Sequence, residues 1–222
     1  MFRKILAIGD CNTLGAKELK GHSYPERVAD KIGSEVINLG HTMATTREGL
    51  GLLRDCLHRD YMADADCIFI QFGLADSSKT LRYSPYVLYY PDNWCRKVLR
   101  ALTKKFKKTC RKAGVNVLLG ESNTVPIEEY EENLRKMVEL SQPRTVFLVD
   151  TIPTNNQDRN GELVRYNKIL DKVCGDYETC IKIDLYEIFE KESHQFYMDR
   201  IHCSNAGYEC IAAKIASRIR LA

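Results

Sequence analysis

No apolar run in the 222-residue chain approaches the roughly 20 residues of a membrane span. No Cys-x-x-Cys pair occurs and the five His do not recur at metal-ligand spacing, so no metal is expected. The segment Gly9-Asp10-Cys11-Asn12-Thr13-Leu14-Gly15 fits neither the Walker A pattern nor Gly-x-Gly-x-x-Gly, which argues against a nucleotide binder. Internal repeats, low-complexity stretches and linkers are lacking, so residues 1–222 are expected to form one domain. A net charge of only +3 gives no global argument for nucleic acid, and none is expected as a partner. Met1-Phe2-Arg3-Lys4 runs directly into Ile5-Leu6-Ala7-Ile8, with no room for a removable signal peptide, so a cytoplasmic location is expected. Nine Cys is an odd number, and without an export signal they read as reduced thiols, most of them small core hydrophobes.

Apolar runs and amphipathic segments alternate along the chain. Lys4–Ile8, Glu35–Asn38, Cys67–Gln71, Val115–Leu119, Thr145–Val149 and Ile181–Asp184 are short, rich in β-branched residues and nearly continuous in hydrophobicity, as strands covered on both faces should be. Helices are predicted from Pro25-Glu26 with Ser23 as cap, and over Thr45–His58, Trp94–Lys112, Pro126–Leu140, Gly161–Val173 and Asn205–Ile219. Glu131–Arg135 and Glu132–Lys136 are i,i+4 pairs. The rhythm predicts an α/β fold of three layers, a mostly parallel sheet with helices on both faces. Leu74 to Asp92 is the longest irregular stretch and holds the cluster Tyr83, Tyr86, Tyr89 and Tyr90, a loop packed by its own aromatics or a lid.

Positive charge is concentrated between Arg96 and Lys112, which also carries Val98, Leu99, Leu102, Phe106 and Cys110 at helical spacing. An ordinary solvated basic face accounts for it; so does a patch for an anionic substrate, a membrane surface or an acidic partner.

In an open parallel sheet, ligands bind beyond the carboxyl ends of the strands. Asp10-Cys11-Asn12, Gly40-His41-Thr42 and Gly73-Leu74-Ala75-Asp76 each follow a predicted strand. Together with Asp199-Arg200-Ile201-His202 near the other end of the chain, these segments resemble the four blocks of the SGNH (GDSL-type) hydrolases. That family carries Gly-Asp-Ser in its first block, Gly in its second, Asn in its third and Asp-x-x-His in its last. The resemblance implies a flavodoxin-like fold and an acyl-ester hydrolase or acyltransferase acting on a sugar or similar alcohol, without a cofactor. It also implies a small-molecule acyl ester or acylated sugar as partner, and leaves the oligomeric state open.

Two departures stand out. Cys11 takes the Ser position and Ala75 takes the Asn position. By resemblance Cys11 is the nucleophile, His202 the base and Asp199 the acid that fixes its tautomer. A thiol at a strand-to-helix turn feels the helix N-terminus, which favours thiolate. The N–H groups of Cys11 and Gly40 are the expected oxyanion donors, Asn12 lines the pocket or steadies the turn, and Ala75 leaves one donor missing. Losing such a donor costs about 100- to 1000-fold in kcat. A subgroup from bacterial polysaccharide gene clusters is similar, with an apolar residue at the Asn position and an Arg soon after; Arg82 is the candidate for that Arg. A catalytically silent module that binds a carbohydrate or a protein is the alternative. Asp10 and Asp76 read as local backbone acceptors and caps.

Overall fold

Side chains alternate across a strand, so a strand apolar at every position must be covered on both faces. In the computed structural model, which describes residues 2–59, 62 and 64–220, the sheet obeys this rule. In chain order the elements are β1 (Lys4–Gly9), α1 (Cys11–Leu14), a 3-10 turn (Lys17–Leu19), α2 (Tyr24–Ile32), β2 (Glu35–Asn38), α3 (Thr46–His58), β3 (Cys67–Gln71), β4 (Lys79–Leu81), α4 (Trp94–Lys112), α5 (Val115–Leu119), β5 (Glu121–Asn123), α6 (Ile127–Ser141), β6 (Thr145–Val149), α7 (Gln157–Asp176), β7 (Cys180–Ile183), α8 (Tyr186–Lys191), α9 (Ser193–Phe196) and α10 (Asn205–Ile219). Five strands make one parallel sheet in the order β2-β1-β3-β6-β7.

Leu6, Ile8, Ile68, Ile70, Val146 and Leu148 pack on one side of the sheet with Leu53 of α3, Leu134 and Val138 of α6 and Leu170 of α7. Ile5, Ala7, Cys67, Phe69, Phe147 and Val149 pack on the other side with Val28 of α2, Phe189 of α8 and Ile211 and Ile215 of α10. Each Val, Leu, Ile or Phe among them stabilises the fold by about 1.5–3 kcal/mol relative to exposure. This is the three-layer α/β architecture that the hydrophobic rhythm predicts. The pairs Glu131–Arg135 and Glu132–Lys136 form on α6 at 3.0 and 2.5 Å.

One predicted strand is a helix. Val115–Leu119 forms α5, bounded by Gly114 (φ 71°) and Gly120 (φ 76°), and is absent from the sheet. Its place is taken by Thr145–Val149, which pairs with β3 from Cys67↔Thr145 to Ile70↔Leu148. The reason is burial: Val117 and Leu118 of α5 are each 85% exposed, so the segment has apolar composition without a partner surface. The structure also adds an antiparallel pair, β4 with β5 (Lys79↔Asn123 to Leu81↔Glu121). It closes the base of an excursion, residues 82–120, that leaves the sheet after β3 and carries α4 and α5.

Candidate active site

At the end of β1 the chain turns at once into α1, and Asp10 caps it by accepting from the Asn12 N–H at 2.9 Å. Cys11 is the first residue of that turn and is buried against Leu74 and Leu163. Burial pushes its thiol well above the ordinary range and neighbouring Asp10 pushes it further, outweighing the pull of the turn's N–H groups; Asp199 adds to the rise. The resting group is therefore a protonated thiol, not the thiolate that the turn position alone suggests.

Asn12 joins the two ends of the chain. Its Nδ2 donates to the Ile201 carbonyl at 3.1 Å, and its Oδ1 accepts from the Cys203 N–H at 3.3 Å. These bonds grip the residues on either side of His202 and hold its loop against the Cys11 turn. The Asp-x-x-His spacing closes locally: Asp199 Oδ2 meets His202 Nδ1 at 2.8 Å, while Oδ1 accepts from the N–H groups of Ile201 at 3.0 Å and His202 at 2.9 Å. Partial burial raises the Asp199 pKa, but the His202 ring and these two N–H groups prevail and hold it at about 2. An ionised Asp199 keeps the proton on Nδ1 and leaves Nε2 as the basic nitrogen. No hydrogen bond joins the Cys11 sulfur to the His202 ring among the described residues.

Gly40 is where the structure departs most from the expected oxyanion site. Its N–H donates to Asn38 Oδ1 at 2.9 Å. The same Asn38 donates through Nδ2 to the Thr13 carbonyl at 2.7 Å and to Glu26 Oε1 at 2.8 Å. Asn38 thus ties β2 to α1 and α2, a role the sequence reading missed. A Cβ on Gly40 would lie 2.3 Å from the Leu14 nitrogen, so glycine is needed there for close approach to α1.

Ala75 is buried and lines a cavity of about 860 Å³ together with Met43, Thr45, Tyr86, Tyr89 and Arg100. Arg82 is not brought there. It lies exposed on the turn after β4, its guanidinium 5.9 Å from the Tyr83 ring centre. A second cavity of about 910 Å³ is lined by Pro153, Thr154, Tyr186, Tyr197 and Asp199. Neither cavity is lined by Cys11 or His202.

The remaining acids hold the scaffold. Asp76 Oδ1 accepts from the Thr46 N–H at 2.9 Å and the Thr46 hydroxyl at 2.7 Å, at the N-terminus of α3. Glu48 is buried, closes a capping box with Thr45, and accepts from the Tyr86 hydroxyl at 3.0 Å and the Tyr89 N–H at 2.7 Å. It thereby pins the Tyr-rich loop to α3. The sequence signal for this was present, since Thr45-x-x-Glu48 is a capping-box pattern. Gln71 bridges the strand ends, meeting Thr13 Oγ1 at 3.3 Å and donating to the Asp150 carbonyl at 3.0 Å.

A family model described as GDSL-like lipase/acylhydrolase matches residues 7–210. Among solved structures, the lipase/acylhydrolase from Enterococcus faecalis superposes with TM-score 0.66 at 22% identity, covering 98% of this chain and 95% of that one. A catalytic mutant of an acetylxylan esterase from Geobacillus stearothermophilus gives TM-score 0.63 at 20% identity, covering 98% and 94%. A member of the lipolytic G-D-S-L family from Veillonella parvula gives TM-score 0.65 at 16% identity, covering 97% of each chain. No curated protein matches the sequence.

Proposed function

The chain belongs to the GDSL-like lipase/acylhydrolase family, and on that premise we propose that it cleaves or transfers an acyl group esterified to a sugar or similar alcohol, using Cys11, His202 and Asp199. The observation that carries the reading is the 2.8 Å pair of Asp199 and His202, fastened beside the Cys11 turn by Asn12. A pair of that kind has a task where a base is needed, and the adjacent turn supplies a thiol. The acetylxylan esterase neighbour supports an acetylated carbohydrate as the substrate class.

Because the thiol rests protonated, His202 acts within the attack rather than before it. As the Cys11 sulfur bonds to the ester carbonyl carbon, its proton passes to His202 Nε2. The tetrahedral adduct collapses to a thioester, and the leaving alkoxide takes that proton. Water or an acceptor alcohol then gives a proton to Nε2 as it attacks the thioester, and the Cys11 sulfur recovers the proton on departure. Ionised Asp199 stabilises the imidazolium in both steps. These steps call for no cofactor.

A second reading, a silent module that binds a carbohydrate or a protein, draws support from Gly40. Its N–H is already given to Asn38, and Ala75 offers no side-chain donor. Turnover of a small aryl acetate decides between the two. The catalytic reading expects measurable wild-type turnover, loss of at least about 100-fold in Cys11→Ala and in His202→Ala, and a smaller loss in Asp199→Asn, with rates compared at temperatures where each variant is fully folded. Wild-type rates in His202→Ala, or no turnover in the wild type, would exclude it.

A further inference from the structure

Helix α4 is amphipathic, yet it is mounted with its apolar side outward. At about 100° per residue, Trp94, Val98, Leu99, Leu102 and Phe106 share one side, and they are 42–75% exposed. The residues that face the body are polar: Arg100 and Thr103, with Lys104 and Lys107, line the cavity that reaches Ala75. Arg100 fastens the helix, donating to the Leu88 carbonyl at 2.8 Å, pairing with Asp92 at 2.5 Å and lying 4.7 Å from the Tyr89 ring centre. Neither α4 nor α5 contains a buried residue, and Val117 and Leu118 of α5 are each 85% exposed. A contiguous apolar side of this kind on an otherwise well-packed α/β body marks a surface that something covers.

Charge selects what covers it. Helix α4 carries nine Lys and Arg and no Asp or Glu. Lys97 and Arg100 pair with Asp92, and Arg111 lies 3.9 Å from Glu121. Arg96 and Lys105, which do not line that cavity, have no carboxylate partner among the described residues, and neither do Lys104, Lys107, Lys108 and Lys112 along its rim. A second copy docked side to side would set like charge against like charge. A bilayer with anionic headgroups offers apolar depth for Leu102 and Phe106 and negative charge for the flanking cations, the combination that holds interfacial helices. We propose that α4 and α5 form an interfacial anchor that seats the protein on an anionic phospholipid surface, with the Ala75 cavity alongside it. The proposal is independent of the catalytic reading, because its readout is binding and not turnover.

Trp94 is the only tryptophan of the chain and sits on this side of α4, so its emission reports docking directly. Titration of the intact protein with vesicles of equal parts phosphatidylcholine and phosphatidylglycerol is expected to shift that emission to the blue and to float the protein with the vesicles. Pure phosphatidylcholine is expected to bind at least about tenfold more weakly. Leu102→Glu with Phe106→Glu, both at exposed positions, is expected to weaken partitioning about tenfold or more with an unchanged melting curve. Lys105→Glu and high salt weaken it in the same direction. No shift and no flotation with the anionic vesicles would overturn the proposal. So would equal binding to pure phosphatidylcholine, or a concentration-dependent dimer that the double variant dissolves while vesicles bind neither protein.

Discussion

At position 75 one missing amide separates this site from the Asn that the resemblance implies there. Ala75 adjoins a cavity of about 860 Å³, so a longer side chain has room without displacing core. With the Gly40 N–H given to Asn38, the Cys11 N–H is the remaining donor of the two expected for an oxyanion. Ala75→Asn adds an amide where the family pattern has one. The ceiling on the gain is the cost of deleting such a donor, about 3–4 kcal/mol. A gain of about tenfold in kcat, or about 1.4 kcal/mol, is the expected outcome, because the neighbours of position 75 were not shaped to orient an amide. Steady-state rates on an activated ester, compared at matched folded fraction, provide the check. A fall in kcat would mean that a substrate group or another donor already uses that space.

At the scale of elements, the junction of β2 with α1 sets where Cys11 sits. A Cβ on Gly40 would meet Leu14 N at 2.3 Å and Thr13 C at 2.8 Å, both backbone atoms of α1 that cannot rotate away. Gly40→Ala is expected to destabilise the protein by about 3 kcal/mol, as overpacking against rigid backbone does. Gly51, inside α3 with nothing within 4 Å of its added Cβ, is the contrast. Gly51→Ala is expected to stabilise by about 1 kcal/mol through helix propensity. Urea midpoints of the two variants test both signs. The same elements show what a sequence can disclose. The three central strands, β1, β3 and β6, were legible because they are buried on both faces and show it as nearly continuous apolar runs, while the edge strands β2 and β7, only partly buried, were legible from their short β-branched cores. Val115–Leu119 has the same composition, and only the missing neighbour surface distinguishes it. The Asp199–His202 pair was legible because three residues of separation suffice to close it. The Asn38–Gly40 bond was not, since it depends on how one amide divides its contacts among β2, α1 and α2. Arg82 fell in the stretch read as irregular, where neither β4 before it nor the direction of its side chain was legible.

For the whole molecule, buried carboxyl groups set the dependence of stability on pH. Burial raises Asp10 to about 7 against the bond from the Asn12 N–H, with nearby Asp76 adding to the rise. Asp76 is likewise raised to about 7 by burial, opposed by its bonds from Thr46 and reinforced by Glu48. Burial lifts Asp150 to about 6, with Lys182 and the N–H groups of Leu185 and Tyr186 pulling it back. An unfolded Asp titrates near 4. Between that pH and about 7 the folded protein binds more protons than the unfolded chain, so stability falls as pH rises through this window. Each group contributes at most about 1.4 kcal/mol per pH unit. Asp199, held at about 2, works in the opposite sense, but its contribution is lost only as pH falls below about 4. The melting temperature is therefore expected to decline from pH 5 to pH 8. Asp76→Asn keeps an acceptor for Thr46 while removing one titration, and is expected to flatten that decline and to cost least at pH 8. A melting temperature that rises over this range, or an Asp76→Asn profile parallel to the wild type, would show that Asp76 is ionised in the folded state throughout. The N-terminus of α3 would then be stabilised by a full charge and not by a neutral carboxyl.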